Sequence, residues 1–274
     1  QRIDAPAAAE PPEEKEAFEL EEVAGGATAA AALLGGEEPG SERGEAAGAE
    51  SSFELAEPGE EVRSYAESLD AADFEDIAAF FRQHAARHGR QLQTPVVIQV
   101  ARPLTAQPPA LPMEGSRLQT AWWSLKMRWW SWRNGRQDGM VSDDVKMFVL
   151  YQKRKPDTTL ERSVGIKNGS YGLVNAVASQ REAAHNRIVI THELLHILGA
   201  TDKYALSSGE PIHPDGFAEP DRVPLYPQKY AEIMGGRIPL GFKQSTMPTS
   251  LAQCRLGRLT AEEIGLLGLL DPGG

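Results

Sequence analysis

The chain has 274 residues, 41% hydrophobic and 24% charged, which is enough for one sizeable core and additional sequence. Residues 1–61 carry seventeen Asp/Glu and three Lys/Arg, whereas the rest carries 22 Asp/Glu and 25 Lys/Arg. The net charge of −11 therefore belongs to the front, and the near-neutral body has no long basic run, which argues against nucleic acid as a partner. Cys254 is the only cysteine, so an internal disulfide framework is excluded.

Residues 1–61 are predicted to be a disordered acidic linker or a pro-region. They are rich in Ala, Glu, Gly and Pro and cannot bury enough apolar surface to offset the entropy of ordering. A pro-region that masks a metal is the functional alternative, but it would not use a thiolate because the segment has no cysteine. No segment has the apolar length of a membrane span and the first residues are not a signal peptide, so a targeting or anchoring segment would lie upstream.

Residues 62–274 are predicted to form one α/β (α+β) domain with a mixed twisted sheet. Apolar residues recur at helical spacing over 64–88, and a β-branched run bounded by prolines at 94–100 predicts a buried strand. Further strands are predicted at 145–151, 163–167 and 171–179. The last two flank Asn168-Gly169, which is typical of a hairpin.

All five tryptophans lie within residues 117–133. From Leu125 the pattern partly alternates, so the sequence favours a strand at least as much as a helix. Two interpretations remain open for this Trp-rich stretch. Its aromatic side chains pack in the core, or they form a cationic surface that contacts a bilayer or a glycan.

The strongest motif is HELLHILGATD at residues 192–202, within a helix predicted at 186–198. His192 and His196 are four residues apart, about 40° apart on one helical face, and can hold one Zn²⁺. Glu193 beside them can take a proton from water activated by the metal. Gly199 is expected to end the helix in the left-handed conformation, so that Asp202 can return as third ligand. The helix is apolar nearly all round, which predicts burial in the core.

Other histidines and acids are weaker candidates for the metal. His213 is the only histidine downstream of the motif and is the main rival third ligand. His84 and His88 are also four residues apart, but no cysteine or carboxylate accompanies them, which favours packing or solvated roles. A downstream glutamate ligand is disfavoured by Gly199 and Asp202. The candidates considered for it are Glu219, Glu232, Glu262 and Glu263.

The chain after the motif is predicted to wall the site. Residues 203–231 form a long Pro-rich loop, and loops of this length are usually functional or internally packed. A capping box at 260–263 predicts the start of a C-terminal helix.

The motif HExxHxxGxxD resembles the metzincin superfamily of zinc endopeptidases, in a variant with Asp at the usual third His. The resemblance covers residues 64–270 and implies that His192, His196 and Asp202 bind zinc and that Glu193 is the general base. It also implies a methionine turn beneath the metal. Met234 is preferred to Met247 because it directly closes the loop after the third ligand. In such folds the strand before the zinc helix pairs with substrate, here within residues 171–179.

The resulting functional hypothesis is a zinc-dependent endopeptidase that acts on a protein or peptide substrate. One alternative is a zinc-stabilised, catalytically weak interaction or envelope-scaffold domain. Another is a hydrolase of a non-peptide amide such as peptidoglycan. The sequence leaves open a membrane or cell-envelope association, through an upstream segment or the Trp-rich stretch. It does not determine the compartment, the oligomeric state or the natural substrate.

Overall fold

The structure is a computed structural model that describes residues 27–35, 59–110, 117–135, 145–154, 164–166 and 171–267. Its helices are α1 (Glu60–Glu67), α2 (Glu75–Arg87), α3 (Arg117–Asn134), α4 (Ala183–Leu198) and α5 (Arg258–Glu263). Its larger sheet contains β1 (Ala27–Gly35), β2 (Val96–Val100), β3 (Val145–Gln152), β4 (Val164–Ile166) and β5 (Tyr171–Val177). Short pairs follow after α4, formed by β6 (Ala231–Glu232), β7 (Ile238–Gly241), β8 (Gln244–Thr246) and β9 (Cys254–Arg255).

The five strands are ordered β2-β1-β3-β5-β4, with β4 antiparallel to β5 and the other neighbours parallel. This mixed sheet with its helices confirms the α/β class. The predicted strands at 94–100, 145–151, 163–167 and 171–179 are confirmed, and the last two pair antiparallel. The predicted turn at Asn168-Gly169 between them lies outside the described residues. Every residue of β5 is buried, as expected for a strand covered on both faces of the sheet.

Helices cover the two faces of the sheet with different partners. On one face, Trp123 and Met127 of α3 pack in a cluster with Phe148 and Tyr171 of the sheet. On the other face, α1, α2 and α4 share the main core, to which β3 contributes its neighbouring residue Met147. The alternation of Met147 and Phe148 between the two clusters follows from the two-residue period of a strand. The helix that carries the HExxH motif and the Trp-rich helix therefore lie on opposite faces of the sheet.

Strand β1 lies inside the segment 1–61, where composition predicts a disordered linker or pro-region. The nine residues ATAAAALLG form a strand paired with both β2 and β3. They contain no charged residue, and a parallel strand in the middle of a sheet needs an uncharged run rather than alternation. Mean composition concealed this local run. Residues 1–26 and 36–58 lie outside the described residues, and α1 begins two residues before the predicted boundary at 62.

The Trp-rich stretch is a helix, which decides between the strand and the helix that the sequence left open. Trp123, Met127 and Trp130 are buried at a spacing of four and three residues, which is one helical face. Large apolar side chains on the opposite, exposed face concealed this periodicity in the sequence.

Two helix boundaries also differ from prediction. The region 64–88 is divided into α1, a 3₁₀ turn and α2, because the Asp70 carboxylate accepts from the Ala72 N–H and the Asp70 N–H donates to Asp73. Helix α5 begins at Arg258, without the predicted capping box. Thr260 and Glu263 instead bond to residues outside this helix. Among the described residues, no helix combines the length and the apolar character needed to cross a bilayer.

Asn186 fixes the start of α4 to the end of β5. Its amide oxygen accepts from the Val177 N–H at 3.2 Å, and its amide nitrogen donates to the Val177 carbonyl at 2.9 Å. Both residues are buried. This pair sets the position on the sheet of α4, the helix that carries the HExxH motif.

We expect Asn186→Ala to lower the free energy of unfolding by about 2 kcal/mol, because it removes both hydrogen bonds and leaves buried backbone groups short of a partner. The neighbouring substitution His185→Ala should change it by less than about 0.5 kcal/mol. Urea unfolding followed by circular dichroism measures both values. Equal losses in the two variants would contradict this role of Asn186.

Candidate metal centre

His192 and His196 lie on one face of the last turns of α4. Their ring centroids are 4.7 Å apart and their planes are 84° from parallel. The helix ends at Gly199, which has a φ of 113° and is therefore left-handed, as predicted. The Ala200 N–H then donates to the Leu195 carbonyl at 2.9 Å, and the chain turns back towards the two imidazoles.

Asp202 completes a compact triangle of ligand atoms. Its Oδ1 lies 3.1 Å from His192 Nε2 and 3.2 Å from His196 Nε2. Two atoms that bind one tetrahedral zinc ion at about 2.0–2.1 Å lie about 3.3–3.4 Å apart, so the observed separations fit one ion. Within the described residues, these side chains form the one group of His, Cys, Asp or Glu residues that could hold a metal ion.

Backbone carbonyls orient both imidazoles. His192 Nδ1 lies 3.0 Å from the Ile233 carbonyl, and His196 Nδ1 lies 2.9 Å from the Ala200 carbonyl. A carbonyl oxygen can only accept, so each Nδ1 carries the proton and each Nε2 presents its lone pair to the centre in the neutral ring. Histidine ligands of metals are oriented in this way, with the second nitrogen donating to a carbonyl or carboxylate.

The electrostatics of the triangle favour positive charge at its centre. Burial raises the pKa of Asp202, but the hydrogen bonds from His192 and His196 outweigh it and hold this pKa well below its usual range. Burial lowers the pKa of His196, but Asp202, the Ala200 carbonyl and the charge of Glu193 together raise it above its usual value. A divalent cation satisfies the same demand for positive charge that protons meet on the imidazoles.

Two residues beside Asp202 fix the loop that carries it. Glu263 of α5 accepts from the Thr201 N–H at 3.1 Å, from the Thr201 hydroxyl at 2.6 Å and from Lys203 Nζ at 2.7 Å. The Lys203 side chain is only 3% exposed, so this ion pair is largely removed from water. Burial raises the pKa of Glu263, but Lys203 and Thr201 outweigh it and lower this pKa. Asp202 is therefore positioned by residues on both sides of it.

The predicted methionine turn lies against the site. Met234 is fully buried, whereas its rival Met247 is 44% exposed. The Met234 carbonyl accepts from the Lys203 N–H at 2.9 Å, and the preceding carbonyl, of Ile233, accepts from His192. Gly236, with a φ of 73°, completes the turn. This placement is what the resemblance implies for Met234, whose role remains a prediction.

Glu232 holds the turn from inside the protein. One carboxylate oxygen accepts from the N–H groups of Met234 and Gly235 at 2.7 and 2.9 Å. The other accepts from the Gly257 N–H at 3.0 Å and the Thr260 hydroxyl at 2.7 Å. Burial raises the pKa of Glu232, and these donors act in the opposite direction. With both oxygens engaged, Glu232 is a structural acid and is not in the metal group.

Glu193 is buried beside the ligands and interacts electrostatically with His196. It follows His192 directly on α4, so the same helix places the metal ligands and the candidate base. The ring centroid of Tyr204, at the start of the Pro-rich loop, lies 6.4 Å from that of His192.

The rival histidines lie elsewhere. His213 is exposed, and its Nε2 contacts the Pro220 carbonyl at 3.2 Å rather than the metal group. His84 is buried, and its pKa falls to about 3, mainly because burial disfavours its charged form. His88 contacts the Leu256 carbonyl at 3.0 Å. His84 and His88 therefore pack α2 against the C-terminal segment.

The strand before α4 is not the terminal strand of the described sheet, which excludes residues 171–173 from the predicted pairing of substrate with residues 171–179. Pairing of substrate with the rest of that segment stays a prediction. Strand β5 lies between β3 and β4, and its residues 171–173 are paired with β4. The antiparallel pairing of β4 with β5 places β4 outside β5, and β4 is the terminal strand among those described. It also lies against α4.

Several contacts of the site carry no signal in the sequence. The carbonyls of Ala200 and Ile233 belong to the backbone, and Glu263 is 60 residues from Lys203. In the sequence, Glu263 is recognisable only as an acidic residue within a segment predicted to be helical.

No protein-family model matches the chain, and a search of the curated proteins finds no significant match.

We expect the protein to bind Zn²⁺ and Asp202→Ala to weaken this binding by on the order of 100-fold or more, because a ligand is lost. His213→Ala should bind zinc as the wild type does, since His213 lies outside the triangle. Competition with a chromophoric chelator measures the affinities. Zinc lost in His213→Ala and kept in Asp202→Ala would reject this ligand set.

Glu263→Gln should weaken zinc binding by about tenfold or more, because the loop around Asp202 loses the carboxylate opposite the buried Lys203. Unfolding should also become easier by about 2–3 kcal/mol. Glu262→Gln is the matched control. Glu262 is the exposed neighbour of Glu263, and its substitution should change neither the zinc affinity nor the free energy of unfolding. Chelator competition and urea unfolding provide the readouts. Equal zinc affinity in the two variants would show that the loop does not depend on Glu263.

Proposed function

We propose that this protein is a zinc-dependent endopeptidase related in its site to the metzincins. The observation that carries the proposal is the convergence of His192 Nε2, His196 Nε2 and Asp202 Oδ1, with Glu193 on the same helix. The HExxHxxGxxD motif and the turn at Met234 support this relation.

The donor set favours zinc as the metal. Two imidazole nitrogens and one carboxylate oxygen suit Zn²⁺, whereas Mg²⁺ and Ca²⁺ prefer oxygen ligands throughout. Three protein ligands are typical of catalytic zinc, and four of structural zinc. When bound, zinc supplies a Lewis acid that acidifies water and polarises a carbonyl. A carboxylate in place of a third imidazole partly neutralises the ion and should moderate this acidification.

Glu193 performs the proton transfers in the proposed reaction. As water attacks the peptide carbonyl, Glu193 accepts the water proton, and it then delivers a proton to the leaving amine. Its burial keeps bulk water from competing for that proton. His192 and His196 keep their orientation during these steps because both Nδ1 protons remain bonded to backbone carbonyls.

The edge strand β4 is the proposed partner of an extended substrate. It is the terminal strand among those described and lies against α4, so a peptide added at this edge would run along the helix that carries His192 and His196. Backbone hydrogen bonds would then supply much of the binding, as in other cases of β-strand addition. This arrangement favours a polypeptide substrate over a cell-wall amide, because a strand edge recognises a continuous peptide backbone.

We expect Glu193→Gln to retain zinc and to lower the rate of casein hydrolysis by about 10²–10⁴-fold, because the amide cannot accept the water proton. Chelator competition verifies the zinc, and release of labelled casein fragments measures the rate. Unchanged turnover in Glu193→Gln would reject the mechanism. No casein cleavage by a zinc-loaded wild type, with cleavage of peptidoglycan fragments, would favour the hydrolase of a non-peptide amide. Inactivity on both would favour the scaffold domain.

A further inference from the structure

Helix α3 exposes a row of large apolar side chains. Trp122, Leu125, Trp129 and Trp132 are 57–61% exposed. Successive members are three, four and three residues apart, so they lie along one side of the helix. We call these four residues the Trp face. Exposed indole rings grouped in this way mark an interaction surface rather than ordinary surface variation.

Positive charge accompanies the Trp face. The sequence RLQTAWWSLKMRWWSWRN contains four basic residues and no acidic residue, although the whole chain has a net charge of −11. Lys126 Nζ lies 5.7 Å from the centroid of Trp122, and the Arg133 guanidinium lies 5.7 Å from that of Trp129. The cations thus flank the rings, with their aliphatic stems available to lie along them.

The inner side of α3 holds this surface in place. Trp123, Met127 and Trp130 are buried against the sheet. The Trp123 indole donates to the Pro109 carbonyl at 2.9 Å, and the Tyr171 hydroxyl donates to the Ser124 carbonyl at 3.1 Å. The exposed rings are therefore presented by a helix that is already ordered, and binding does not require α3 to fold.

We propose that the Trp face docks the protein on the surface of an anionic lipid bilayer, with α3 lying in the plane of the interface. Indole rings are enriched at the boundary between lipid headgroups and acyl chains, where one edge is apolar and the N–H meets water. Lys126, Arg128 and Arg133 would contact lipid phosphates beside them. Eighteen residues extend for about 27 Å, which is sufficient for an interfacial helix lying flat.

The features of α3 favour a bilayer over the chain's own acidic segment. Residues 1–61 have a net charge of −14 and could attract the same cations, but they contain only two aromatic residues, Phe18 and Phe53. Three exposed indoles need a broad apolar environment as well as negative charge, and an anionic bilayer supplies both. This inference is independent of the proposed catalytic activity.

The test uses the full chain and two kinds of vesicle, phosphatidylcholine alone and phosphatidylcholine mixed with phosphatidylglycerol. We expect co-sedimentation and a blue shift of tryptophan emission with the anionic vesicles and neither with the neutral ones. Raising the salt concentration should weaken the binding, because it screens the contribution of the basic residues. Absence of binding to anionic vesicles, or equal binding to both, would overturn the proposal.

Variants separate the contribution of the rings from that of the charges. We expect the triple variant Trp122→Ser/Trp129→Ser/Trp132→Ser and the triple variant Lys126→Gln/Arg128→Gln/Arg133→Gln each to lower the partition coefficient by about tenfold or more. The charge variant keeps every indole, so it tests the proposal even if the serine variant folds poorly. Circular dichroism and thermal unfolding verify the fold of both.

A matched control variant changes an exposed aromatic ring and its neighbouring lysine at a site outside α3. Phe242 is 81% exposed, and Lys243 Nζ lies 5.4 Å from its ring centroid, in the turn between β7 and β8. Phe242→Ser/Lys243→Gln should bind vesicles as the wild type does, and an equal loss in this control would reject docking through α3. A dimer that dissociates in the serine variant would identify a second copy as the occupant. A red shift of the tryptophan emission on adding salt without vesicles would identify the acidic segment as the occupant of the Trp face. Either result overturns the proposal.

Discussion

The arrangement of the site depends on one interaction, the contact of the Asp202 carboxylate with two imidazole nitrogens at 3.1 and 3.2 Å. His192 and His196 are brought together by the helix alone, since residues four apart share a face. The helix does not position Asp202, because this residue lies in a loop after the left-handed Gly199 that ends α4. Bringing a carboxylate to this point requires a defined path from residue 199 to residue 203, and the surrounding structure supplies it.

Two acids, the buried Glu232 and the partly buried Glu263, define that path. A buried carboxylate is costly unless donors surround it, and each of these acids collects donors from chain segments distant in sequence. Glu263 joins α5 to the residues on either side of Asp202, while Glu232 joins the methionine turn to the start of α5. This turn also supplies the Ile233 carbonyl, which orients the His192 ring. The C-terminal quarter of the chain thus positions the ligands without containing any of them.

The predictions succeeded where the determining contacts are local. The two histidines, the glycine and the aspartate lie within eleven consecutive residues. Strand β2 is apparent from a β-branched run, β3 from a short apolar run, and β5 from the turn signal that precedes it. Strand β1 was missed because the average composition of residues 1–61 outweighed nine uncharged residues. The sequence could not distinguish helix α3 from a strand, because both sides of the helix are apolar and the helical periodicity is lost. The pairing of Lys203 with Glu263 could not be predicted, since a separation of 60 residues carries no distance information.

The two proposed surfaces are compatible because the sheet separates them. Helix α3 packs on one face, through Phe148 and Tyr171, and helix α4, which carries the candidate ligands, packs on the other, through the main core. A protein docked through the Trp face would therefore hold His192 and His196 away from the lipid. Strand β4 is the terminal strand among those described and so lies at the side of the sheet. If substrate pairs with β4 as proposed, polypeptide segments standing clear of the bilayer are favoured over those embedded in it, because an extended peptide must reach the β4 edge with its backbone groups unpaired.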